Sequence, residues 1–311
     1  MKINFTADAM QAAMTFVEKQ KTHIESGVNA TVYPEIQYPS LIPVDTSAHP
    51  FAKSVTYYSS DKFGKANWIN GNSDDIPLAG TELAQHETQV YMAGIGYGYG
   101  FEEINQAQLM GVNLSNDDAM AARRAYEEMV DRVALYGDAS KGFQGLVSNT
   151  AVTATNVTTG DWNNAATTED QILDDVNELI LGVATDTAYT SMANTLLLSN
   201  AKLSKLATKR IDGTGTSLME YLRKNNTYTQ MTGQQLTIKG VRGLETAGTG
   251  DESRMIAYSR DPRVMKMHIP MPHRFLPVYQ DGPLNFVIPG VFRLGGLDIR
   301  YPREVRYGDG I

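Results

Sequence analysis

The side chains that most often carry metal or acid–base chemistry are scarce in this sequence. It contains five histidines and no cysteine. No two histidines have the spacing of a zinc-protease helix, and His268 and His273 lie in a proline-rich stretch without helical periodicity. The absence of cysteine excludes disulfides, thiol catalysis, cysteine-ligated zinc and iron–sulfur clusters. We interpret the histidines as structural and predict no metal site.

Acidic doublets and clustered lysines are the next candidates. The doublets at 74–75, 117–118 and 174–175 lack the central glycine and terminal glutamate of a calcium-binding loop. No Gly-x-Ser-x-Gly elbow is present to hold a hydrolase nucleophile. A lysine triplet on one short predicted helix could contact phosphate, although a solvated helix face is the default interpretation; it comprises Lys202, Lys205 and Lys209. The sequence therefore predicts no catalytic residue, no cofactor and no enzyme.

The alternating glycines from Gly94 to Gly100 are the motif most easily mistaken for a nucleotide site. A dinucleotide fingerprint needs glycine at its first, third and sixth positions, but the sixth residue is Tyr99 counted from Gly94 and Phe101 counted from Gly96. No Lys-Ser or Lys-Thr follows to complete a phosphate loop. Alternation of glycine with bulky residues predicts a strand instead, with one bulky face and close backbone approach on the other.

Composition favours a large folded protein without a strongly cationic surface. The 311 residues, 42% of them hydrophobic, allow two ordinary domains or one elaborated domain. A formal net charge of -8 argues against binding led by neutralisation of nucleic-acid phosphates. Residues 1–20 lack the apolar core of a signal peptide, and no run approaches the roughly 20 apolar residues that span a bilayer. We expect a soluble protein, made in a reducing cytoplasm and without membrane contact, that packing or assembly stabilises.

The first fifty residues predict an arm. Met10, Ala13, Met14 and Val17 recur at helical spacing, which predicts an amphipathic helix packed either on its own domain or on a neighbouring molecule. Four prolines within residues 27–50 predict an extended strap without a core of its own. A strap of this kind must lie against something else. The two methionines are therefore candidate interface residues.

A long β-hairpin is predicted next. Its first arm continues through Phe63, Trp68 and Ile69, a loop follows at 71–75, and residues 90–92 with the glycine string form the second arm. The chain has sixteen Tyr, fourteen Met and nine Phe, types that interfaces favour, although most must fill cores. Trp68 stands beside a loop in an extended hairpin, so we predict that its contacts are intermolecular. Phe63 and Ile69 are weaker candidates for the same surface.

A long helix and a mixed segment follow the hairpin. The helix is predicted over 115–136, with Ser115 as its N-cap and Gly137 as its terminator. Residues 160–255 mix helices and strands, beginning with a capping box at 168–171. Shorter elements are predicted as helices at 201–209 and 218–224 and as strands at 195–198, 236–244, 255–258, 264–269, 286–288 and 297–301. The fold class is therefore α+β.

Several blocks in the first half of the chain form an ordered set. They are Ile76-Pro77-Leu78 at the end of the hairpin, the run 90–99, Phe101-Glu102-Glu103-Ile104, the run 111–114, the long helix to Tyr136-Gly137-Asp138, and the run 142–149. This order resembles that of tailed-bacteriophage major capsid proteins of the Hong Kong 97-like fold family. The likeness in motifs spans about residues 51–150, and the order of elements agrees to the C-terminus. Each block alone is weak, but the ordered set is specific.

The resemblance implies an architecture for the whole chain. It is an α+β fold with an N-arm, an extended hairpin loop, a peripheral domain containing a long spine helix, and an axial α/β domain. The implied N-arm is 1–50 and the extended loop is 51–88. The peripheral domain would comprise 89–159 and 256–311, and the axial domain 160–255. The loop containing Gly213 and Gly215 would be the axial tip, near the symmetry axes of pentamers and hexamers. No long scaffolding extension precedes the arm, so scaffolding is expected from a separate protein or from the helix around Met10.

The resemblance also implies a function. The chain would self-assemble as hexamers and pentamers into an icosahedral head shell around double-stranded DNA, which it would contact by non-specific proximity. The other partners would be a portal protein and, where present, scaffolding and decoration proteins, and the protein would reside in the virion capsid. One alternative is an encapsulin-like shell of a bacterial nanocompartment. A carbohydrate-binding or adhesion protein, favoured by the tyrosine content, and an enzyme of novel type are the others.

Overall fold

The structure, a computed structural model, describes residues 33–68, 76–100, 102–103, 114–164 and 166–311. The predicted helix with Met10 and Met14, and the predicted interface residue Ile69, lie outside the described residues. The chain divides into two units, residues 1–35 and residues 36–311. All elements below belong to the second unit.

Six α-helical segments within the described ranges are labelled in chain order. They are α1 (Tyr38–Leu41), α2 (Leu114–Tyr136), α3 (Glu169–Asp186), α4 (Asn200–Thr208), α5 (Leu218–Lys224) and α6 (Thr227–Thr232). The strands of the first half are β1 (Val44–Asp45), β2 (Ser54–Phe63), β3 (Gly80–Gln89), β4 (Tyr91–Gly94), β5 (Tyr97–Gly100), β6 (Gly137–Asp138), β7 (Phe143–Gln144) and β8 (Thr153–Asn156). Those of the second half are β9 (Thr195–Ser199), β10 (Thr237–Val241), β11 (Arg254–Tyr258), β12 (Met265–His268), β13 (Met271–Phe275), β14 (Tyr279–Gln280), β15 (Asn285–Ile288), β16 (Gly290–Leu294), β17 (Gly296–Ile299) and β18 (Val305–Asp309).

The strands form one larger sheet and several small ones. The larger sheet has the order β10-β9-β11-β18-β8, in which β10–β9 and β18–β8 are parallel pairs and the inner pairs are antiparallel. Three-stranded sheets have the orders β1-β12-β17, β13-β16-β4 and β14-β15-β5, while β2 and β3 pair only with each other. Two members of the larger sheet, β8 and β18, come from outside residues 160–255. The sheet of the mixed α/β segment is therefore completed by strands from before and after that segment in the sequence.

Helix α3 shows how local sequence directs the packing of the larger sheet. Thr168 accepts a hydrogen bond from the Gln171 backbone and the Gln171 side chain accepts from the Thr168 backbone, so the predicted capping box is confirmed. The apolar side chains at helical spacing are all buried: Ile172, Val176, Leu179, Ile180 and Val183. They form one hydrophobic core with β9, α5 and the fully buried Trp162.

Helix α2 organises a second core. It has 23 residues, hence a length of about 35 Å, and it buries Tyr126, Val130 and Val133 against the C-terminal strands. The helix begins at Leu114, so Ser115 lies inside it rather than at the predicted N-cap. It ends where predicted, because Gly137 adopts the left-handed conformation, with φ 80, that terminates helices. The predicted long helix is therefore confirmed, apart from its first residue.

The predicted extended strap contains a short helix. Pro39 lies in the first turn of α1, where a missing N–H costs nothing, so the prolines do not exclude a helix here. Tyr38, Leu41 and Ile42 are buried in the core that α2 organises. The expectation that the prolines exclude a helix is wrong for this stretch, whereas its burial agrees with the expectation that the strap lies against another part of the protein. Helix α1 is stabilised because its apolar side chains are buried and because one carboxylate accepts the N–H groups at its start.

That carboxylate belongs to Asp131 of α2. Its Oδ1 accepts hydrogen bonds from the backbone N–H groups of Gln37, at 2.9 Å, and Tyr38, at 2.8 Å. Its Oδ2 lies 3.5 Å from the Arg242 guanidinium. Asp131 is buried, and so one side chain joins the strap, the long helix and the segment after β10. An anion at the start of α1 satisfies N–H groups that the helix itself leaves unpaired.

Substitution of Asp131 by alanine is expected to lower the free energy of unfolding by about 2–3 kcal/mol, because a buried N–H group and a half-buried one lose a charged acceptor. Denaturant unfolding measures the loss, and limited proteolysis should cut the strap faster than in the parent. The neighbouring substitution Glu127→Gln is the control, since an amide oxygen can still accept the 2.8 Å hydrogen bond from the Tyr38 hydroxyl. Equal stability of Asp131→Ala and the parent would contradict this role.

The predicted hairpin is present, but the prediction of its second arm is wrong. The returning strand is β3, which pairs with β2 from Ser54 opposite Gln89 to Phe63 opposite Gly80. Strands β4 and β5, predicted as the second arm, instead pair with β16 and β15. Residues 80–89 are almost entirely polar and exposed, and without an apolar alternation they gave no strand signal.

The glycine string behaves as predicted. Gly94 ends β4, Gly98 and Gly100 lie in β5, and Ile95 and Gly96 connect the two strands. The string lies in close contact with neighbouring backbone. A Cβ atom added at Gly94 would lie 2.7 Å from the Gly290 carbonyl oxygen, and one at Gly96 would lie 2.3 Å from that of Ile288. Only glycine permits such an approach, so the string is a packing feature and not a phosphate loop.

Candidate assembly surface

The predicted lysine triplet is structural. Lys202 is buried and its Nζ lies 2.7 Å from an Asp161 carboxylate oxygen, so the solvated-face interpretation is wrong for it. Lys209 pairs with Glu169 at 3.2 Å, and Lys205 donates a hydrogen bond to a backbone carbonyl of the same loop. Lys202 and Lys205 of α4, and Lys209 directly after it, therefore hold Asp161, Trp162 and Glu169 in place. None of them is arranged to receive a phosphate.

The two C-terminal histidines also have structural environments. His268 is buried between two carboxylates, its Nε2 3.4 Å from Asp298 and its Nδ1 4.0 Å from Asp45. The Nε2 of His273 hydrogen-bonds the Ile95 carbonyl at 3.0 Å, and its ring stacks on Tyr126. Within the described ranges no group of three or more potential ligands could hold a metal ion. No helix in those ranges is long and apolar enough to cross a membrane.

The β2–β3 hairpin is largely exposed to solvent along its whole length. Ten residue pairs give it a length of about 33 Å. Six large apolar side chains of the hairpin and of the segments beside its far end are each at least 60% exposed: Tyr58, Phe63, Trp68, Ile76, Leu78 and Leu83. The strand register places Phe63 on one face and Tyr58 and Leu83 on the other. Both faces thus present apolar groups to solvent, and a two-stranded ribbon of this kind is marginally stable alone.

The two tryptophans of the chain have opposite environments. Trp68 is 105% exposed, whereas Trp162 is 0% exposed and donates a 2.8 Å hydrogen bond to the Asp175 carboxylate. A fully exposed indole contributes little to the stability of its own subunit, and tryptophan is enriched among residues that dominate binding energy. The geometry is therefore compatible with the prediction that Trp68 makes intermolecular contacts. That prediction concerns an assembly and stays a prediction.

The other candidate residues occupy two places. The Phe63 ring lies over Gly80, where an added Cβ would be 2.4 Å from a ring atom, so Phe63 also covers the neighbouring strand of its own hairpin. Gly213, with φ 71, and Gly215 lie in an exposed turn between α4 and α5, with no atom within 4 Å of an added Cβ. The structure thus places Phe63 at the end of β2 and Trp68 five residues beyond it, and the glycines in a loop of the α/β segment.

Sequence reasoning missed the contact between the hairpin and the rest of the subunit. The Arg300 guanidinium lies over the Tyr57 ring, 4.5 Å from its centroid. At the base of the hairpin, Arg293 donates hydrogen bonds to the carbonyl groups of Pro50 and Val90, at 3.2 and 3.4 Å. Both arginines come from the C-terminal strands. No local pattern marks them, because their partners are more than 200 residues away in sequence.

A chain with its own cores that carries a long ribbon with both faces exposed has the architecture of a subunit that assembles with other chains. A family model described as "Major capsid protein" matches residues 64–311, which is most of the sequence. The chain belongs to the major capsid protein family. It is therefore a structural protein of a capsid shell, not an enzyme, and it self-associates.

Solved structures show the same fold. The capsid of Myoviridae phage XM1 matches with a TM-score of 0.79 and 19% identity, over 94% of this chain and 98% of that one. Mycobacterium phage Ogopogo matches with a TM-score of 0.60 and 14% identity, over 95% and 98%. A virus-like particle from Pyrococcus furiosus matches with a TM-score of 0.51 and 14% identity, over 87% and 91%. No curated protein sequence matches the chain.

These comparisons confirm the fold expected from the ordered sequence blocks. The structure is an α+β capsid fold like that of phage capsid subunits, with a long helix, an extended hairpin and an α/β segment. The agreement extends over nearly the whole length of both chains in the phage comparisons. The resemblance to tailed-bacteriophage major capsid proteins is thus confirmed, and the nanocompartment alternative is weaker.

Proposed function

We propose that this chain forms the hexamers and pentamers of the closed head of a tailed bacteriophage, and that the hairpin binds a neighbouring copy. The exposed apolar surface on both hairpin faces, with Trp68 near the end of β2, carries the proposal. A ribbon that reaches away from its own cores can bind a different surface on the next subunit. Such a head-to-tail contact closes into rings when the rotation between copies allows it.

The same surface suits a lattice. Many contacts of moderate area, each reversible, allow errors to be corrected during growth, and the closed shell then adds avidity. The proposed ranges remain 1–50 for the N-arm, 51–88 for the extended loop, 89–159 with 256–311 for the peripheral domain, and 160–255 for the axial domain. Gly213 and Gly215 would line the tip of the axial domain. Met10, Met14 and Ile69 remain proposed contact residues.

The proposed contents and partners follow from charge and architecture. With a net charge of -8 the subunit would enclose double-stranded DNA by proximity, since a mildly negative lining lets DNA slide. A portal protein would occupy one vertex, and scaffolding and decoration proteins are further candidate partners. Assembly would take place in the host cytoplasm. A strong, salt-sensitive affinity of the capsomers for duplex DNA would contradict the sliding proposal.

Electron microscopy of the purified chain tests the main proposal. We expect closed shells or regular five- and six-membered rings, with light scattering that rises above a critical concentration. A chain that stays monomeric at high concentration, with and without a co-expressed scaffolding protein, would refute it. Shells that copurify with an enzyme instead of DNA would favour the nanocompartment alternative.

A further inference from the structure

The hairpin is fixed to its own subunit by a stack of planar groups. The Tyr57 ring packs against two planar groups: the Arg300 guanidinium, 4.5 Å from its centroid, and the imidazole of His86, 4.9 Å away and nearly parallel. His86 belongs to β3 and Tyr57 to β2, and the two residues are directly opposite each other. We call the contact between the Arg300 guanidinium and the Tyr57 ring the root contact. It joins a residue near the base of the ribbon to the strand that ends at Ile299.

The guanidinium in the root contact is itself held in position. Its Nε donates a 3.0 Å hydrogen bond to Asp298, whose carboxylate also lies 3.4 Å from the buried His268. Burial opposes ionisation of Asp298, but the hydrogen bonds from His268 and Arg300 outweigh it and hold the pKa of this carboxyl below its usual range. The carboxylate is therefore charged at neutral pH, and the Arg300 plane has a fixed orientation towards the ring.

A cleft of about 370 Å³ opens beside the root contact. Hairpin residues line one side and residues near β12 and β17 line the other, among them Arg263, Lys266 and Tyr301. The cleft has little to offer an anionic ligand, because Arg263 pairs with Glu304 at 3.2 Å and Lys266 with Asp45 at 3.0 Å. It is open space into which the hairpin could swing if the root contact were lost.

The root contact lies near the base of the hairpin, where a small rotation produces a large displacement of the far end. Arg293 holds the two chain segments that enter and leave the hairpin, and so marks a pivot. Tyr57 lies about 10 Å along the ribbon from Ser54, while the far end of the paired strands is about 33 Å away. A rotation of about 10° at the base would move that end by about 6 Å. A shift of this size would change the angle at which two neighbouring subunits meet.

We propose that the Arg300–Tyr57 contact is a positioning element that sets the hairpin angle and, through it, the curvature of the shell. The inference rests on the proposed function of the hairpin as an assembly arm. The contact needs no partner chain to exist. Its effect on the hairpin can therefore be measured in the unassembled subunit, separately from its effect on the particle.

The absence of cysteine makes the measurement direct. Cysteines introduced by Lys65→Cys, beyond β2, and Asp170→Cys, on the exposed side of α3, take one spin label each. The distance distribution between the labels then reports the hairpin angle in dilute, unassembled protein. Tyr57→Leu removes the ring, and Tyr57→Phe is the matched control that keeps it. Arg300→Lys keeps the charge beside Asp298 but lacks the flat face that stacks on the ring.

We expect Tyr57→Leu to broaden the distribution by several ångströms, Tyr57→Phe to match the parent, and Arg300→Lys to fall between them. Particles of Tyr57→Leu should then vary more in diameter than those of the parent. An unchanged distance distribution in Tyr57→Leu would overturn the positioning role, and a broadened distribution with uniform particles would overturn the link to curvature. Failure of the parent chain to assemble, with and without a co-expressed scaffolding protein, would refute the proposed function and leave the spin-label result standing.

Discussion

Substitution of Trp68 by alanine is expected to prevent shell formation at concentrations where the parent assembles, while the subunit stays folded. The side chain is fully exposed, so its loss removes no contact within the described subunit. Truncation of a central interface tryptophan costs about 2 kcal/mol or more, hence about 30-fold in affinity per contact. In a closed lattice each subunit gives and receives this contact, so the critical concentration rises steeply. Light scattering and electron microscopy measure assembly, and thermal unfolding measures the subunit.

The second tryptophan supplies the matched control. Trp162→Phe removes a buried indole that donates to Asp175, and we expect it to lower the free energy of unfolding by about 1–3 kcal/mol. Assembly should persist below the lowered melting temperature. In this variant Trp68 is the one remaining tryptophan, and its emission should shift to the blue as shells form. Equal loss of folding and assembly in Trp68→Ala, or no shift on assembly, would show that Trp68 is not an interface residue.

Substitution of Asp309 by asparagine is expected to have the largest effect on stability. Arg254 of β11 binds this carboxylate of β18 through both Nε, at 2.6 Å, and a terminal nitrogen, at 2.8 Å. The guanidinium also donates to the Val147 carbonyl and lies over the Tyr307 ring. Both charged groups are buried. Removal of one partner of a buried pair leaves the other uncompensated, which costs about 3–5 kcal/mol. Denaturant unfolding at neutral pH measures the loss.

The same pair should make stability depend on pH in a defined direction. Burial opposes ionisation of Asp309, but hydrogen bonds from Arg254 and Thr249 outweigh it, so the pKa of the carboxyl is below its usual range in the folded protein. The ionised carboxyl therefore contributes fully to the free energy of unfolding at pH values above its pKa in the unfolded chain, which is about 3.9. This contribution is lost as the pH falls through the lower pKa of the folded protein. The difference between the parent and Asp309→Asn should shrink in acid. Arg254→Met combined with Asp309→Asn should recover part of the loss, and a pH-independent difference would contradict the assignment.

Some elements of the fold could be predicted because their signals are local. The capping box at Thr168 and the apolar spacing of α3 are short-range features, and so are the length of α2 and its terminating Gly137. The glycine string was predicted correctly as a strand because alternation at a period of two is itself a structural rule. These elements required no knowledge of the rest of the chain. Their boundaries are accordingly right to within a residue or so.

Other elements depend on contacts that sequence patterns do not show. Strand β3 is polar because it faces solvent, so its pairing with β2 left no apolar trace. Helix α1 has Pro39 in its first turn, and the distant Asp131 accepts the N–H groups at its start. On the candidate surface, the exposure of Trp68 could be expected from its place beside a loop, whereas the root contact could not be predicted. A cation–π pair between β2 and the segment after β17 leaves no sign in either segment alone.

The place of β18 in the larger sheet bears on the order in which the protein is made. This strand lies between β11 and β8, yet its residues are synthesised after those of every other strand in that sheet. Ribosomes add about 5–20 residues per second, so β11 waits for seconds with one edge unpaired and β8 has no neighbour. A growing chain therefore cannot complete the α/β segment until Asp309 has emerged to meet Arg254. Until then an incomplete chain has an unfinished sheet in which β11 and β8 each keep an unpaired edge.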